Sequence, residues 1–344
     1  MKQLNSLEVA KLAGVSRSTV SRVVNGYSNV PESTRERVMK IIRDNGYYPH
    51  LSGQLLAGKK TGTLGFFWIS LGDIASDSLS SSYFVNVTEA AAQHGHLILT
   101  CILKNLTDCE NICWAKKVFT QGRIDGGIFI GVNNNEPVIE ELISSGHVVG
   151  IFDHFHADRL EPNRISVNFE DDTGSKVIDY LYECGHRKIG IIDGNMNRYS
   201  SAKRHESFLK GMQQHSLEIR REWMQYADVT EPAGYEAAKR MLASCSELPT
   251  AICANNDAAA FGVYKALTEA GISIPDQVSV TGIDGHGRGE LSTPQLTTFA
   301  FNYHDFFYSL VSRTIAAIEG KSNNPNTEFM TSQLVERNSV KRLV

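Results

Sequence analysis

The stretch GVSRSTVSRVVNG, residues 14–26, sets Arg17, Ser18, Ser21 and Arg22 side by side on a short helix. Small hydroxyl donors beside arginines suit a surface that lies against phosphates and base edges. Hydroxyls bond phosphate oxygens, and a guanidinium matches the O6/N7 edge of guanine. A second polar set falls just past a series of apolar runs. Asp153 follows VVGIF, Asp193 and Arg198 follow KIGII, Asn255, Asn256 and Asp257 follow TAICA, Asp284 follows VTGI, and Arg204 lies on a following helix. Carboxylates, amides and arginine suit a sugar, whose hydroxyls both donate and accept. Asp257 and Asp172 also read as plain helix caps.

The first set must be held by a small helical head. Ser6 is placed to cap a first helix with Leu7, Ala10 and Leu12 inward, and Ala13-Gly14 ends it, since glycine takes the positive φ required there. Ser16 caps the second helix, which buries Val20 and either Val23 or Val24, and Asn25-Gly26 stops it. A third helix follows Val30-Pro31, runs through Val38, Ile41 and Ile42, and ends at Asp44-Asn45-Gly46. Two short helices about a tight glycine turn make a helix-turn-helix, the second sized for the major groove.

The second set must be held by parallel sheets. TLGFFWI, HLILTCI, IDGGIFIGV and HVVGIF alternate with helical stretches, and RISVN, RKIGIID, WMQYAD, PTAICAN and QVSVTGI resume the pattern. Two βαβ arrays predict an α/β body of two doubly wound lobes, with ligands at the carboxyl ends of strands. The expected division is a head over 1–46, a hinge over 47–62, a first lobe over 63–162 plus 291–322, and a second over 163–290 plus 323–344. The hinge carries Leu51, Leu55 and Leu56, apolar choices that imply ordering against a partner such as an opened minor groove.

Composition narrows the classes. At 344 residues, 42% hydrophobic and 21% charged, the chain reads as an ordinary globular protein with room for roughly two or three domains. No run approaches the roughly eighteen apolar residues of a membrane span, and MKQLNSLEVAKLAG is no signal peptide, so no membrane partner and a cytoplasmic location are expected. Residues 1–60 hold ten Lys/Arg against four Asp/Glu, a net +6 within a chain of −4, so a basic head sits on an acidic body and points to a polyanion. The six cysteines lack a C-x-x-C pair and read as reduced core residues. Cys109 and Cys113, four apart without paired histidines, make a poor metal site, and no metal or cofactor is expected.

LEVAKLAGVSRSTVSRVVNG, VPESTRERVMKII, GYYP, LSGQLLAGK, LYECGHRKIGIIDG, CANNDAAAFGVYKALTEAGISIPDQVSVTGID, STPQLTTF and LVERNSV together resemble the lactose repressor/galactose repressor family of bacterial transcription regulators, across essentially the whole chain. The resemblance implies a helix-turn-helix head on two lobes of periplasmic-binding-protein type. It implies base contacts at Arg17, Ser18 and Arg22 and phosphate contacts at Ser16, Thr19, Ser21, Asn25, Thr34 and Tyr47. Leu56 corresponds to the leucine that wedges the minor groove. Asp153, Arg204, Asn256 and Asp284 stand at effector contacts, with Arg198 nearby. The implied partners are double-stranded pseudo-palindromic operator DNA, a small-molecule effector and a second copy of the chain. The implied role is a repressor of sugar-utilisation genes released by a sugar, with a galactoside favoured and Trp68 or Phe152 stacking on its face. A nucleoside or co-repressor effector is the alternative.

The chain also departs from the family. Gly53 stands for the usual hinge alanine, Phe301-Asn302 for a usual Gln-Pro, residues 72–82 make a longer serine-rich loop, and KRLV closes the sequence without a leucine-heptad tail, which favours a dimer over a tetramer. Two rival classes fit less well. A periplasmic sugar-binding protein would need a signal peptide and no basic head. An enzyme would have to use Asp284, His286 and Glu290 of GIDGHGRGE, whose glycine spacing is not the dinucleotide fingerprint. His154 and His156 read as loop residues at a cleft rim rather than metal ligands.

Overall fold

In the computed structural model of the chain, the described residues are 4–47, 60–69, 78–134, 136–154, 161–321 and 327–343. The head contains α1 (Ser6–Ala13), α2 (Arg17–Val24) and α3 (Glu32–Asp44). Asn5, not Ser6, caps α1: its side chain accepts from the Leu7 and Glu8 amides, and Glu8 reaches back to the Asn5 amide. This capping box moves the start by one residue. The inward stripe differs too: Val9, Ala10 and Ala13 are buried, whereas the expected Leu7 and Leu12 are 51% and 57% exposed. Gly14, at φ +64°, releases the chain from α1, and Ser16 caps α2 by accepting from the Thr19 amide. Val20 and Val23 face the core, with Val24 only partly buried. Val38 of α3 and Tyr47 complete it.

The body holds two six-stranded sheets. The first contains β1 (Thr63–Ile69), β2 (Leu97–Leu103), β3 (Gly126–Ile130), β4 (Val148–Phe152), β5 (Arg164–Phe169) and β11 (Glu328–Met330), in the order β11-β5-β4-β3-β1-β2. The second contains β6 (Ile189–Asp193), β7 (Met224–Tyr226), β8 (Ala251–Ala254), β9 (Ser279–Asp284), β10 (Thr297–Ala300) and β12 (Gln333–Val335), in the order β12-β10-β9-β8-β6-β7. Neighbours run parallel except β10 and β12. Helices cover the faces, so the central strands are continuous apolar runs.

The expected lobe boundaries need correction. β5 pairs in parallel with β4, Val149 opposite Arg164, so residues 164–169 belong to the first sheet rather than the second lobe. β10 pairs with β9, which places 297–300 in the second sheet, and residues 323–344 divide, β11 joining the first sheet and β12 the second. Composition cannot separate these strands, because strands of both sheets are short apolar runs. The chain therefore crosses between lobes three times: between β5 and β6, between β10 and the helix Tyr303–Ile318 that packs on the first sheet, and between β11 and β12.

One apolar cluster joins Phe152, Phe169, Phe306 and Phe307 to Ile189, Ile191 and Phe208 across that junction. The cysteines only partly match the expectation of core residues. Cys101, Cys184 and Cys253 are buried, but Cys109 and Cys113 are exposed on the helix Cys109–Thr120; all six are unbridged. No helix among the described residues is long and apolar enough to cross a membrane.

Candidate functional site

On the head, burial of Val20 and Val23 forces the intervening positions outward. Ser16, Arg17, Ser18, Ser21 and Arg22 are all exposed on this side, while Thr19, Asn25 and Thr34 are partly so. The Ser16 hydroxyl bonds those of Ser18 (2.7 Å) and Thr19 (2.8 Å), and the Asn25 amide donates to Ser21 Oγ at 3.3 Å. Arg17 Nε donates to Ser6 Oγ across the turn at 2.9 Å, a tie that residue spacing alone does not suggest. Tyr47 differs from the other phosphate candidates: only 6% exposed, it is a core residue of the head. Leu56, with the hinge positions 48–59, lies outside the described residues.

In the body, Asp153, Arg198, Arg204, Asn256 and Asp284 all line one cleft of about 990 Å³ between the lobes, with Trp68, Phe152, Phe169 and Tyr303. Asp153 directly follows β4 at φ +61° and accepts from the Ser200 amide and the Ser200 hydroxyl, each at 2.8 Å. Ser200 is the second residue of the helix Tyr199–Gln214, so a first-lobe carboxylate sits on a second-lobe helix N-terminus. Burial nevertheless holds the Asp153 pKa above the usual carboxylate value, against the pull of Ser200 and Arg198.

Asp284, at φ +118°, accepts from the Tyr303 hydroxyl at 3.0 Å and from Arg204 Nη2 at 3.4 Å. Burial raises its pKa, with Arg204 opposing. Arg204 also donates to the Asn255 carbonyl at 2.8 Å and lies 4.9 Å from the centre of the Phe169 ring. Its Nε is buried without a partner among the described residues. Asn256 is largely structural, capping the helix Asp257–Glu269 and donating to the Val229 carbonyl at 3.0 Å.

The other strand-end residues form a layer beneath. Asp193 accepts from His205 at 2.8 Å, and the Asn255 amide donates to Ser201 at 3.2 Å. Asp257, fully buried, accepts from the Thr298 hydroxyl (2.7 Å) and the His286 amide (2.6 Å), against Gly282, where a Cβ would collide with its carboxylate. Burial and the neighbouring Asp284 charge push Asp257 up to about 7. Asp172 stands at the N-cap of the helix Thr173–Glu183 without a capping side-chain bond.

His154 is not a rim residue but 1% exposed, its amide bonded to Asn168 at 2.8 Å, and His156 lies outside the described residues. Among the described residues no three ligand-type side chains gather as a metal site. Glu290 faces solvent and pairs with the distant Arg337, while His286, at the cleft wall, accepts from the Arg288 amide through its ring. Phe301 packs on Phe169 (4.6 Å) beside Arg204, and Asn302 caps the next helix. Trp68 lies stacked on Phe84 at 5.2 Å. Sequence reasoning missed Ser200, Phe169 and Tyr303, which meet their partners only when the lobes come together.

A helix-turn-helix head followed by two crossed-over α/β lobes around a polar cleft defines a DNA-binding regulator with a receptor body. Residues 7–50 match the bacterial regulatory proteins of the lacI family, and residues 178–340 match the periplasmic binding protein-like domain. The chain is 30% identical over 298 residues to the HTH-type transcriptional repressor PurR of Haemophilus influenzae (strain PittEE), covering 85% of this chain and 84% of that one. It is 28% identical to the probable HTH-type transcriptional repressor ExuR of Bacillus subtilis (strain 168), covering 98% of each. Its fold is that of the lac repressor dimer bound to operator and the anti-inducer ONPF (TM-score 0.81, 24% identity, 99% and 100% covered). It is likewise that of a transcriptional regulator CelR–cellobiose complex (TM-score 0.74, 21% identity, 98% and 100% covered). The protein belongs to the lacI family of bacterial regulatory proteins.

Proposed function

We propose that this protein is a dimeric, cytoplasmic repressor, not an enzyme, whose grip on a pseudo-palindromic operator is set by a small molecule in the cleft. Arg17, Ser18 and Arg22 read bases, Ser16, Thr19, Ser21, Asn25 and Thr34 take phosphates, and the buried Tyr47 supports the head from within. Leu56 wedges the minor groove between paired hinges over 47–62. The observation that carries the effector half is the pair of bonds from Ser200 to Asp153 across the cleft. A ligand that competes for or reinforces this junction changes the angle between lobes and so the spacing of two heads. Asp153, Arg198, Arg204, Asn256 and Asp284 form a hydroxyl-binding set, which favours a sugar, a galactoside first, that releases the operator.

The test is a melting-temperature screen of the full chain against galactosides, other hexosides, cellobiose and nucleosides. A ligand at about 100 times its Kd stabilises by about 2.7 kcal/mol. The hit must then alter retention of a selected duplex. Stabilisation by nucleosides alone would replace the sugar, and a hit with no effect on DNA retention would remove the regulatory link.

A further inference from the structure

We propose that Ser6 is a specificity-positioning residue, fixing the guanidinium of Arg17 for end-on recognition of guanine; this rests on the DNA-reading function above. Ser6 opens α1 and Arg17 opens α2, eleven residues on, and the Gly14 turn brings the two first turns together. Arg17 Nε donates to Ser6 Oγ at 2.9 Å. An arginine can present a flat acceptor pair with two different edges, one using Nε and one Nη, the other using both Nη atoms. With Nε held by Ser6, the edge bearing both Nη atoms is the one left for the duplex. That edge matches O6 and N7 of guanine in the major groove. The tie also restrains a long exposed side chain before binding, reducing the rotamer entropy lost on contact.

Ser18 behaves differently. Its hydroxyl is joined to that of Ser16 at 2.7 Å, within a hydroxyl cluster at the start of α2 that includes Thr19. The tie to Ser6 distinguishes Arg17 from Arg22, the other arginine exposed on this face, and sets the direction in which its guanidinium is presented.

The experiment selects binding sites for the full chain from a duplex library randomised over the operator length, then repeats it for Ser6→Thr and Ser6→Val. The two side chains share a shape, and only threonine keeps the acceptor. Arg17→Ala marks the base pair that Arg17 reads. Ser6→Thr is expected to keep the parent motif. Ser6→Val should lose guanine preference at the Arg17-dependent pair by on the order of fivefold, with other positions and the salt slope unchanged. Retained guanine preference in Ser6→Val overturns the proposal, as does an equal loss across all sequences, which would make Ser6 a phosphate contact. If the parent chain enriches no motif, the DNA-reading function itself fails.

Discussion

Ser200 donates to Asp153 twice, through its amide and its hydroxyl, each bond 2.8 Å long and each crossing from one lobe to the other. The contact is buried, and the acceptor stands in a left-handed backbone conformation at the cleft wall. Ser200→Ala should lower the unfolding free energy by about 1–2 kcal/mol, read by urea denaturation, because it deletes one bond and leaves the backbone bond in place. An unchanged midpoint would mean that the hydroxyl bond adds nothing to the backbone bond that remains.

Arg204 and Asp284 are each largely enclosed; Tyr303 also bonds the carboxylate, and the Asn255 carbonyl also holds the guanidinium. Arg204→Ala strands a buried carboxylate and is expected to cost about 3–5 kcal/mol, whereas Arg204→Met with Asp284→Asn, which removes both charges, keeps an acceptor for Tyr303 and tolerates the positive φ, should cost far less. Equal losses for the single and double variants would show that the arginine acts through packing on Phe169 rather than charge.

Asp257 gives a pH signature. Its pKa moves from an ordinary 3.8 to about 7 in the folded protein. The folded state therefore binds the proton more tightly than the unfolded chain. Its contribution to stability is fully present below about pH 4 and is lost as pH rises through 7. Asp257→Asn should flatten this part of the stability curve between pH 4 and 7, measured by denaturation at several pH values. A variant with the parent slope would assign the titration to another group.

Gly14 adopts φ +64°, and a Cβ added there would meet nothing within 4 Å, so any substitution cost is conformational. Gly14→Ala should destabilise the head by about 1–2 kcal/mol. Hydrogen exchange should quicken for amides of α1–α3 and remain unchanged in the two sheets.

Arg22→Ala should reduce discrimination at one operator position by about 1–3 kcal/mol. Titration over single-base operator variants checks this, and uniform weakening would recast Arg22 as a phosphate contact.

The head is legible in the sequence because its punctuation is local: Gly14, Ser16 and Pro31 act within a turn of themselves. Even there the inward stripe of α1 escapes a reading that starts the helix at a Ser6 cap, since Asn5 is the cap and Leu7 and Leu12 face solvent. In the body the strands are readable but their sheets are not, because Arg164–Phe169 and Thr297–Ala300 carry nothing that marks one lobe from the other. The cleft carboxylates announce themselves by following strands. Ser200 and Tyr303 do not, being an ordinary serine and an ordinary aromatic until a distant segment lies across them.

The interleaving of the two sheets carries a consequence for biosynthesis. β11, an edge of the sheet that begins at Thr63, is supplied by Glu328–Met330, and one of the helices that pack against that sheet begins only at Tyr303. A ribosome must therefore have emitted nearly all of both lobes before the earlier one can be finished. Until then, the half-built sheet exposes an apolar face and an open strand edge, a window for chaperone capture or mispairing that a chain with sequential domains would not have.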